Sequence, residues 1–111
     1  MKKLCPEFER NIPMPKQIIW SPLSQNDFLA ILDYLKENWD NKVVQGFIEI
    51  TASSLSQIAI NPKLYPLINK NKKIRKCVLT KHNALFYRER KDYIDVLRIF
   101  DNRQDPHKLV F

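Results

Sequence analysis

The segment KIRKCVLTKHNALFYRERKDYIDVLRIF, residues 73–100, determines how this chain folds. It contains three runs rich in β-branched and aromatic residues, at 73–79, 83–89 and 93–100. Two short polar gaps separate these runs, at 80–82 and 90–92, and gaps of this length are typical of hairpin connections. The segment therefore predicts three strands in an antiparallel meander.

Two helices are predicted before this meander. Ser21 followed by Pro22 indicates a helix start, because serine caps a helix and proline at the first position loses no hydrogen bond. Asn61-Pro62 ends the second helix, which runs from about residue 42 to residue 60. The apolar stripe of the first helix is Phe28, Ile31, Leu32, Leu35 and Trp39, and that of the second is Val44, Ile48, Ala52, Leu55 and Ala59. The short corner between them, residues 38–41, predicts a helical hairpin.

The remaining segments complete a single domain. Residues 16–20 form a short β-rich run, which predicts a first strand. Residues 1–15 contain three prolines and are predicted to be an extended N-terminal arm, so the domain comprises residues 16–111. The link at 63–72 and the tail at 101–111 are predicted to be irregular. The fold class is therefore α+β, in the order β-α-α-β-β-β. The helical hairpin packs on one face of a small, twisted, mainly antiparallel sheet and leaves the opposite face, or the edge of the sheet, for cations.

Positive charge is concentrated in the second half of the chain. Residues 61–111 contain 13 Lys and Arg against 5 Asp and Glu, a net charge of +8, whereas residues 1–60 have a net charge of −1. The densest run is NKNKKIRK, residues 69–76. Such a surface is suited to nucleic acid or to an acidic protein segment, and charge alone does not distinguish the two.

Composition excludes several classes of protein. The only glycine is Gly46, which excludes Gly-rich phosphate loops. The two cysteines, Cys5 and Cys77, and the two histidines lack the spacing of a zinc or redox motif, so we expect no metal and no cofactor. No apolar run approaches the roughly 18 residues that a membrane span requires, and the N-terminus does not resemble a signal peptide. We therefore expect a soluble, cytoplasmic protein without a membrane partner.

Seven short motifs together carry a resemblance to a known family. They are Trp20-Ser21-Pro22, Asp33-Tyr34-Leu35, Asn61-Pro62, Ile74-Arg75-Lys76, Leu85-Phe86-Tyr87-Arg88, the strand at 94–100 and the tail at 102–106. In this order and spacing the chain resembles the RelE/ParE superfamily of toxins from type II toxin–antitoxin modules, over about residues 17–109. The resemblance implies the β-α-α-β-β-β fold. It also implies a cognate antitoxin that folds on docking and forms a hetero-oligomer with the toxin.

The superfamily has two mechanisms. RelE-like members cut messenger RNA in the ribosomal A site, whereas ParE-like members poison DNA gyrase. Cleaving RNA requires cations around the scissile phosphate and a group that moves protons. If this chain is a ribosome-dependent endoribonuclease, the resemblance assigns that chemistry to Arg75, Lys76, Arg98, Arg103 and His107.

The match to the nuclease branch is incomplete. The position three before Tyr87, often arginine in nuclease members, is Ala84 here, and the helical hairpin and the ending at 103–106 are more similar to ParE. We therefore interpret the chain as a ParE-like toxin that binds DNA gyrase, with the endoribonuclease that acts on ribosome and mRNA as the alternative. A third hypothesis, a non-enzymatic RNA-binding domain, conflicts with the lack of a predicted helix after Phe100.

The residues expected to contact the target or the antitoxin are Lys73, Arg75, Lys76, Arg88, Arg98 and Arg103. Arg98 also has a structural interpretation. Ile94, Val96 and Phe100 are expected to share its strand face, so that its guanidinium lies over apolar surface and reaches Asp95, Asp101 or open water. An ion pair that orients the tail is equally consistent with its position. Three other side chains are predicted to be structural, with Tyr87 and Cys77 in the core and His82 in a turn.

Overall fold

The computed structural model describes residues 14–111, and nearly all of the predicted N-terminal arm, with Cys5, lies outside them. The elements, in chain order, are β1 (Gln17–Trp20), α1 (Pro22–Asn38), α2 (Asn41–Ile60), β2 (Leu67–Asn69), β3 (Ile74–Val78), β4 (Asn83–Glu89), β5 (Tyr93–Asp101) and a 3-10 turn (Pro106–Lys108). Two helices pack on a five-stranded mixed sheet, which confirms the α+β fold class.

The sheet has the order β1-β5-β4-β3-β2. Strands β3, β4 and β5 pair as the predicted antiparallel meander, and β1 adds to β5 in parallel. Strand β2 corrects the expectation that the link at 63–72 is irregular, because Leu67 pairs with Arg75 in an antiparallel ladder. A three-residue strand with a register shift is too short to show an alternating pattern in the sequence.

Helix α1 begins as its sequence predicts. The Ser21 hydroxyl accepts a hydrogen bond from the Ser24 amide at 3.0 Å and donates one to the Leu97 carbonyl at 2.9 Å, so the helix cap also attaches α1 to β5. The expected stripe is wrong at its last member. Trp39 is the C-cap residue, with an extended backbone, and 61% of it is exposed.

Helix α2 turns a different face to the core than the predicted stripe. Its buried residues are Phe47, Thr51, Leu55, Ile58 and Ala59. The prediction is right at Leu55 and Ala59 but wrong at Ala52, which is exposed. A threonine occupies the centre of the buried face because its hydroxyl donates to the Phe47 carbonyl at 2.8 Å, which satisfies the polar group without water.

Helix α2 is also long and apolar enough to cross a membrane, with 20 residues and a mean hydropathy of 1.3 over its most apolar 18-residue window. The expectation that no segment approaches this length is therefore wrong. Length and composition are weak evidence for a span, since the core helix of a globular domain meets the same criteria. Phe47, Leu55 and Ile58 of α2 belong to the core cluster between the helices and the sheet.

The alternation of side chains between the two faces of strand β5 shifts by one residue at Leu97. Tyr87 pairs with Val96 and Phe86 pairs with Arg98, so Leu97 is an extra residue in a β-bulge. Ile94, Val96 and Ile99 therefore face the helices, whereas Phe100 belongs to a cluster on the opposite face. The prediction that Phe100 shares a face with Ile94 and Val96 is wrong for this reason.

The sheet face opposite the helices, called the outer face below, carries its own apolar cluster. This cluster is Ile74, Ala84, Phe86 and Phe100, with Leu97 and Leu109 packed against it. The Phe111 ring lies 5.3 Å from that of Phe86 in an edge-on arrangement. The outer face is thus covered in part by the C-terminal tail. Of the two places expected to be left for cations, the opposite face is therefore largely apolar, whereas cations line a cavity at the edge beside β2.

Candidate functional site

The predicted site residues occupy separate regions of the molecule. Three of them, Lys76, Arg88 and Arg98, belong to the strands that form the outer face. Lys73 and Arg75 lie at the start of β3. Arg103 lies beside the helical hairpin, and His107 lies in the tail. They do not converge on one position. Each region is therefore described by its own contacts.

Arg98 is held on three sides. Its Nε donates to Asp27 Oδ2 at 2.7 Å and its Nη2 donates to Asp27 Oδ1 at 3.1 Å, while Nη1 donates to the carbonyls of Lys108 at 3.3 Å and Val110 at 3.0 Å. The bonds to Asp27 raise the pKa of Arg98. The expected partners, Asp95 and Asp101, are wrong. The ion pair instead joins α1, β5 and the tail, as the tail-orienting interpretation requires.

Arg88 also has an acidic partner on the outer face. Its Nη2 lies 3.3 Å from Asp95 Oδ2, and both side chains are largely buried. Ala84 is fully buried within the apolar cluster beside Phe86. Lys76 is the only cation of this region without an acidic partner among residues 14–111.

Arg103 is fixed to the end of β5. Its guanidinium donates to both oxygens of Asp101, at 2.9 and 2.6 Å, and lies 5.3 Å from the centre of the Tyr34 ring. The hydrogen bond from Arg103 lowers the pKa of Asp101 below its ordinary value. This arrangement positions a cation at the mouth of a groove that the sequence did not reveal.

That groove, called the hairpin groove below, lies between the corner of the helical hairpin and the β3–β4 connection. Its volume is about 380 Å³, and it is lined mainly by Tyr34, Trp39, Val43, Ile50, His82 and Arg103. Trp39 and Tyr34 are 61% and 44% exposed. A solvent-facing aromatic and aliphatic surface with a cation at its edge is typical of protein docking surfaces. Trp39 beside a predicted corner was the one sequence signal for it.

A buried donor lies beside the groove. The Asn83 side chain lines the hairpin groove and the neighbouring cavity, and only 7% of the residue is exposed. Its Oδ1 accepts from the Thr80 hydroxyl at 2.9 Å, whereas its Nδ2 has no hydrogen-bond partner among the described residues. Buried amide groups of this kind normally have a partner. This amide group is closed off from the groove, so its lack of a partner among residues 14–111 is a feature of the interior.

His107, the group that the endoribonuclease hypothesis would use to move protons, lies in the exposed tail. The His107 side chain is 95% exposed, and its Nδ1 lies 3.0 Å from Asp105 Oδ1 within the same turn. Tyr87 is buried as predicted. Its hydroxyl donates to the Pro62 carbonyl at 2.7 Å, and burial raises the pKa of Tyr87 to about 12. Cys77 is fully buried and His82 lies in the β3–β4 turn, both as predicted. Within residues 14–111 no three His, Cys, Asp or Glu side chains form a group that could hold a metal ion.

Comparison with known proteins identifies the family. The family model of the ParE toxin of the type II toxin–antitoxin system parDE matches residues 18–106, most of the chain. The chain belongs to the ParE toxin family. It is therefore a toxin of a type II toxin–antitoxin module, as the seven motifs predicted. No curated protein sequence is significantly similar to this ParE-family toxin.

Solved structures of low sequence identity share the fold of this ParE-family toxin. A chain of the chromosomal ParDE system from P. aeruginosa is 14% identical, with a TM-score of 0.65 over 78% of this chain and 95% of that chain. The YoeB dimer from Staphylococcus aureus is 16% identical, with a TM-score of 0.58 over 78% and 97%. The E. coli DinJ–YafQ toxin–antitoxin complex is 17% identical, with a TM-score of 0.51 over 79% and 93%. At these identities the likeness concerns the fold alone, and the choice of target depends on the geometry of the toxin itself.

Proposed function

We propose that this toxin acts by binding a protein target, DNA gyrase, and that a cognate antitoxin neutralises it by binding in turn. The observation that carries the proposal is the state of the outer face. Arg98, which a nuclease would direct at RNA, is bound by Asp27 and by two tail carbonyls.

Cleavage of RNA needs cations that are free to stabilise a developing negative charge. In this toxin Arg88 is paired with Asp95 and Arg103 with Asp101, so a phosphate would have to displace a carboxylate at each position. Leu109 and Phe111 also lie over the strand that carries Ala84 and Phe86. Paired arginines and an outer face covered by the tail support a function in binding more than a function in phosphate chemistry.

The hairpin groove supports a protein partner. Trp39, Val43 and Ile50 present apolar area to solvent, and aromatic and arginine side chains such as Trp39 and Arg103 are enriched where protein interfaces gain most of their affinity. An amphipathic segment with acidic residues would complement both the apolar groove and the charge of +7 on the chain.

The antitoxin is proposed as a second protein partner. A structurally similar chain, in DinJ–YafQ, is described as part of a toxin–antitoxin complex. An antitoxin segment that folds on docking would cover exposed apolar and basic surface of this toxin and form a hetero-oligomer with it.

The experiment that tests the proposal is DNA supercoiling by purified gyrase, titrated with the toxin in the presence and absence of its antitoxin. We expect inhibition that the antitoxin relieves. A folded, growth-arresting sample that leaves supercoiling unchanged would contradict the choice of gyrase.

The alternative, a ribosome-dependent endoribonuclease, is favoured by one observation. Arg75 and Lys76 have no acidic partner among residues 14–111, so a phosphate would not have to displace a carboxylate from either. If this alternative holds, transcripts are cleaved when ribosomes are present, and Lys76→Gln reduces that cleavage while supercoiling remains unaffected.

A further inference from the structure

A second concave surface lies at the start of β3, on the side of the sheet edge formed by β2. It is lined by Lys63, Leu67, Lys70, Lys73, Arg75 and Glu89 and has a volume of about 480 Å³. This surface, called the basic cavity below, is separate from the hairpin groove, which lies at the other end of β3 beside Thr80 and His82.

The charges of the basic cavity do not cancel. Four of its six lining residues are cations, and Glu89 is the one carboxylate. Glu89 already accepts a hydrogen bond from Lys16 Nζ at 2.8 Å. Among residues 14–111 none of the four lining cations forms a salt bridge. The cavity therefore keeps a strong positive potential that a bound anion would neutralise.

The local backbone places Lys70 and Lys73 at the cavity. The Asn69 side chain accepts a hydrogen bond from the Lys72 amide at 3.0 Å, which closes the turn that carries Lys70. Lys73 follows with a φ of 58°, and it is the only non-glycine residue in the described part of the chain with a positive φ. A lysine in this left-handed conformation is uncommon, and such residues are concentrated at functional sites.

Arg75 gives the cavity a fixed donor. Its Nη1 donates to the Tyr65 carbonyl at 2.7 Å, which orients the guanidinium and occupies one of its five N–H groups. The neighbouring lysines are mobile point charges. One oriented guanidinium surrounded by mobile ammonium groups suits an anion that offers several oxygens at variable positions, as a phosphate does.

We propose that the basic cavity binds the phosphate groups of a nucleic-acid backbone without reading base sequence. Leu67 is its only apolar lining residue, so it offers little surface to a peptide that must gain hydrophobic energy to become ordered. A nucleic-acid backbone instead presents closely spaced charges of one sign and needs only cations. This function goes beyond the binding of gyrase, because it requires no protein target.

The test is fluorescence anisotropy of a labelled duplex DNA of about 20 base pairs, and of a single-stranded RNA of the same length, between about 50 and about 200 mM salt. The variant is Lys63→Gln, Lys70→Gln and Lys73→Asn combined. Asparagine is chosen at position 73 because it tolerates positive φ. Arg75 is left unchanged because it also bonds to the Tyr65 carbonyl.

The matched control removes the same charge from the other end of the molecule, by Lys36→Gln, Lys42→Gln and Lys81→Gln. All three of these lysines are exposed. We expect the plot of log affinity against log salt to be shallower by about 2 to 3 units in the cavity variant and little changed in the control variant. The nucleic acid that shows this difference more strongly, DNA or RNA, is the one the cavity serves.

Three results would overturn the proposal. Equal losses in the two variants would mean that only net charge matters. No binding of either nucleic acid by the unmodified toxin at about 50 mM salt would exclude the site. Retention of a labelled poly-glutamate peptide, lost in the cavity variant while nucleic acid is not bound, would assign the cavity to an acidic protein segment. None of these readouts involves gyrase, so they are independent of the supercoiling experiment.

Discussion

Asp27 of α1 and Arg98 of β5 form a two-bond ion pair, with N–O distances of 2.7 and 3.1 Å, that joins residues 71 positions apart. Asp27 Oδ2 also accepts the Ile99 amide at 3.1 Å, beyond the point where β1 stops pairing with β5. One carboxylate thus gives the Ile99 amide at the strand edge a hydrogen-bond partner and also orients Arg98, which binds the tail. The bulge at Leu97 changes the register beside Arg98, as bulges commonly re-aim a side chain.

Asp27→Asn is expected to lower the free energy of unfolding by about 3 kcal/mol, because it leaves a largely buried guanidinium without its counter-charge. Urea denaturation followed by circular dichroism measures the change. Asp33→Asn, at an exposed position of the same helix, is the control and should change stability by less than about 0.5 kcal/mol. Equal effects of the two substitutions would show that the pair does not stabilise the fold.

Leu109→Ala should destabilise the toxin by about 1 to 2 kcal/mol, because Leu109 packs against the outer-face cluster and is partly buried. Its neighbour Val110 is 61% exposed, so Val110→Ala is the control with almost no expected change. The same denaturation experiment compares them. If the two variants are equally stable, the tail does not cover the outer face in solution.

The sequence predicted the elements whose pattern is local. Ser21-Pro22 identified the start of α1, and the apolar run between the two short polar gaps identified β4 at its observed bounds, residues 83–89. It also placed Tyr87 and Cys77 in the core, since an aromatic and a small thiol in a central strand have few other positions. These features depend on residues a few positions apart, which is what periodicity and capping report.

Features that depend on contacts between distant residues could not be predicted from local patterns in the sequence. Nothing near Arg98 in the sequence indicates Asp27, and the bulge at Leu97 is set by pairing with β4 and not by a local signal. The hairpin groove was missed because Trp39 was assigned to the stripe of α1, whereas the cap geometry turns it to solvent. The predicted stripe of α2 failed for a different reason. It admitted only apolar residues, whereas Thr51 is buried because its hydroxyl donates to the Phe47 carbonyl within the helix.

Arg103→Gln is expected to reduce the amount of folding stability that the toxin loses between neutral and acidic pH. The folded-state pKa of Asp101 lies below its ordinary value of 3.8, chiefly because Arg103 donates to it, so this contribution is present above that pH and is lost as the pH falls through the lowered pKa. Urea midpoints at about pH 7 and about pH 3 measure the difference. The variant should lose less stability between them than the unmodified toxin. Arg90→Gln, at an exposed turn position, should behave like the unmodified toxin, and a parallel shift of both variants would contradict the assignment.

Tyr87→Phe should cost about 1 to 2 kcal/mol of stability, because the Pro62 carbonyl loses its donor, and should leave growth arrest unchanged. With a pKa of about 12 the hydroxyl stays protonated at neutral pH, so it is not a ready base. Tyr93→Phe is the control, because Tyr93 is only partly buried and its hydroxyl has no hydrogen bond among the described residues. A folded Tyr87→Phe protein that no longer arrests growth would give this hydroxyl a functional role.

Gly46 offers a direct test of the hairpin groove, because it lines the groove and a Cβ atom there meets nothing within 4 Å. Gly46→Ala should stabilise α2 by about 1 kcal/mol and leave binding intact. Gly46→Trp places a large ring in the groove, and its affinity for the antitoxin should fall about tenfold or more while the protein remains folded. Isothermal titration calorimetry of both variants measures this difference. If Gly46→Trp binds as tightly as Gly46→Ala, the antitoxin docks on another surface, and the exposure of Trp39 and Val43 requires a different partner.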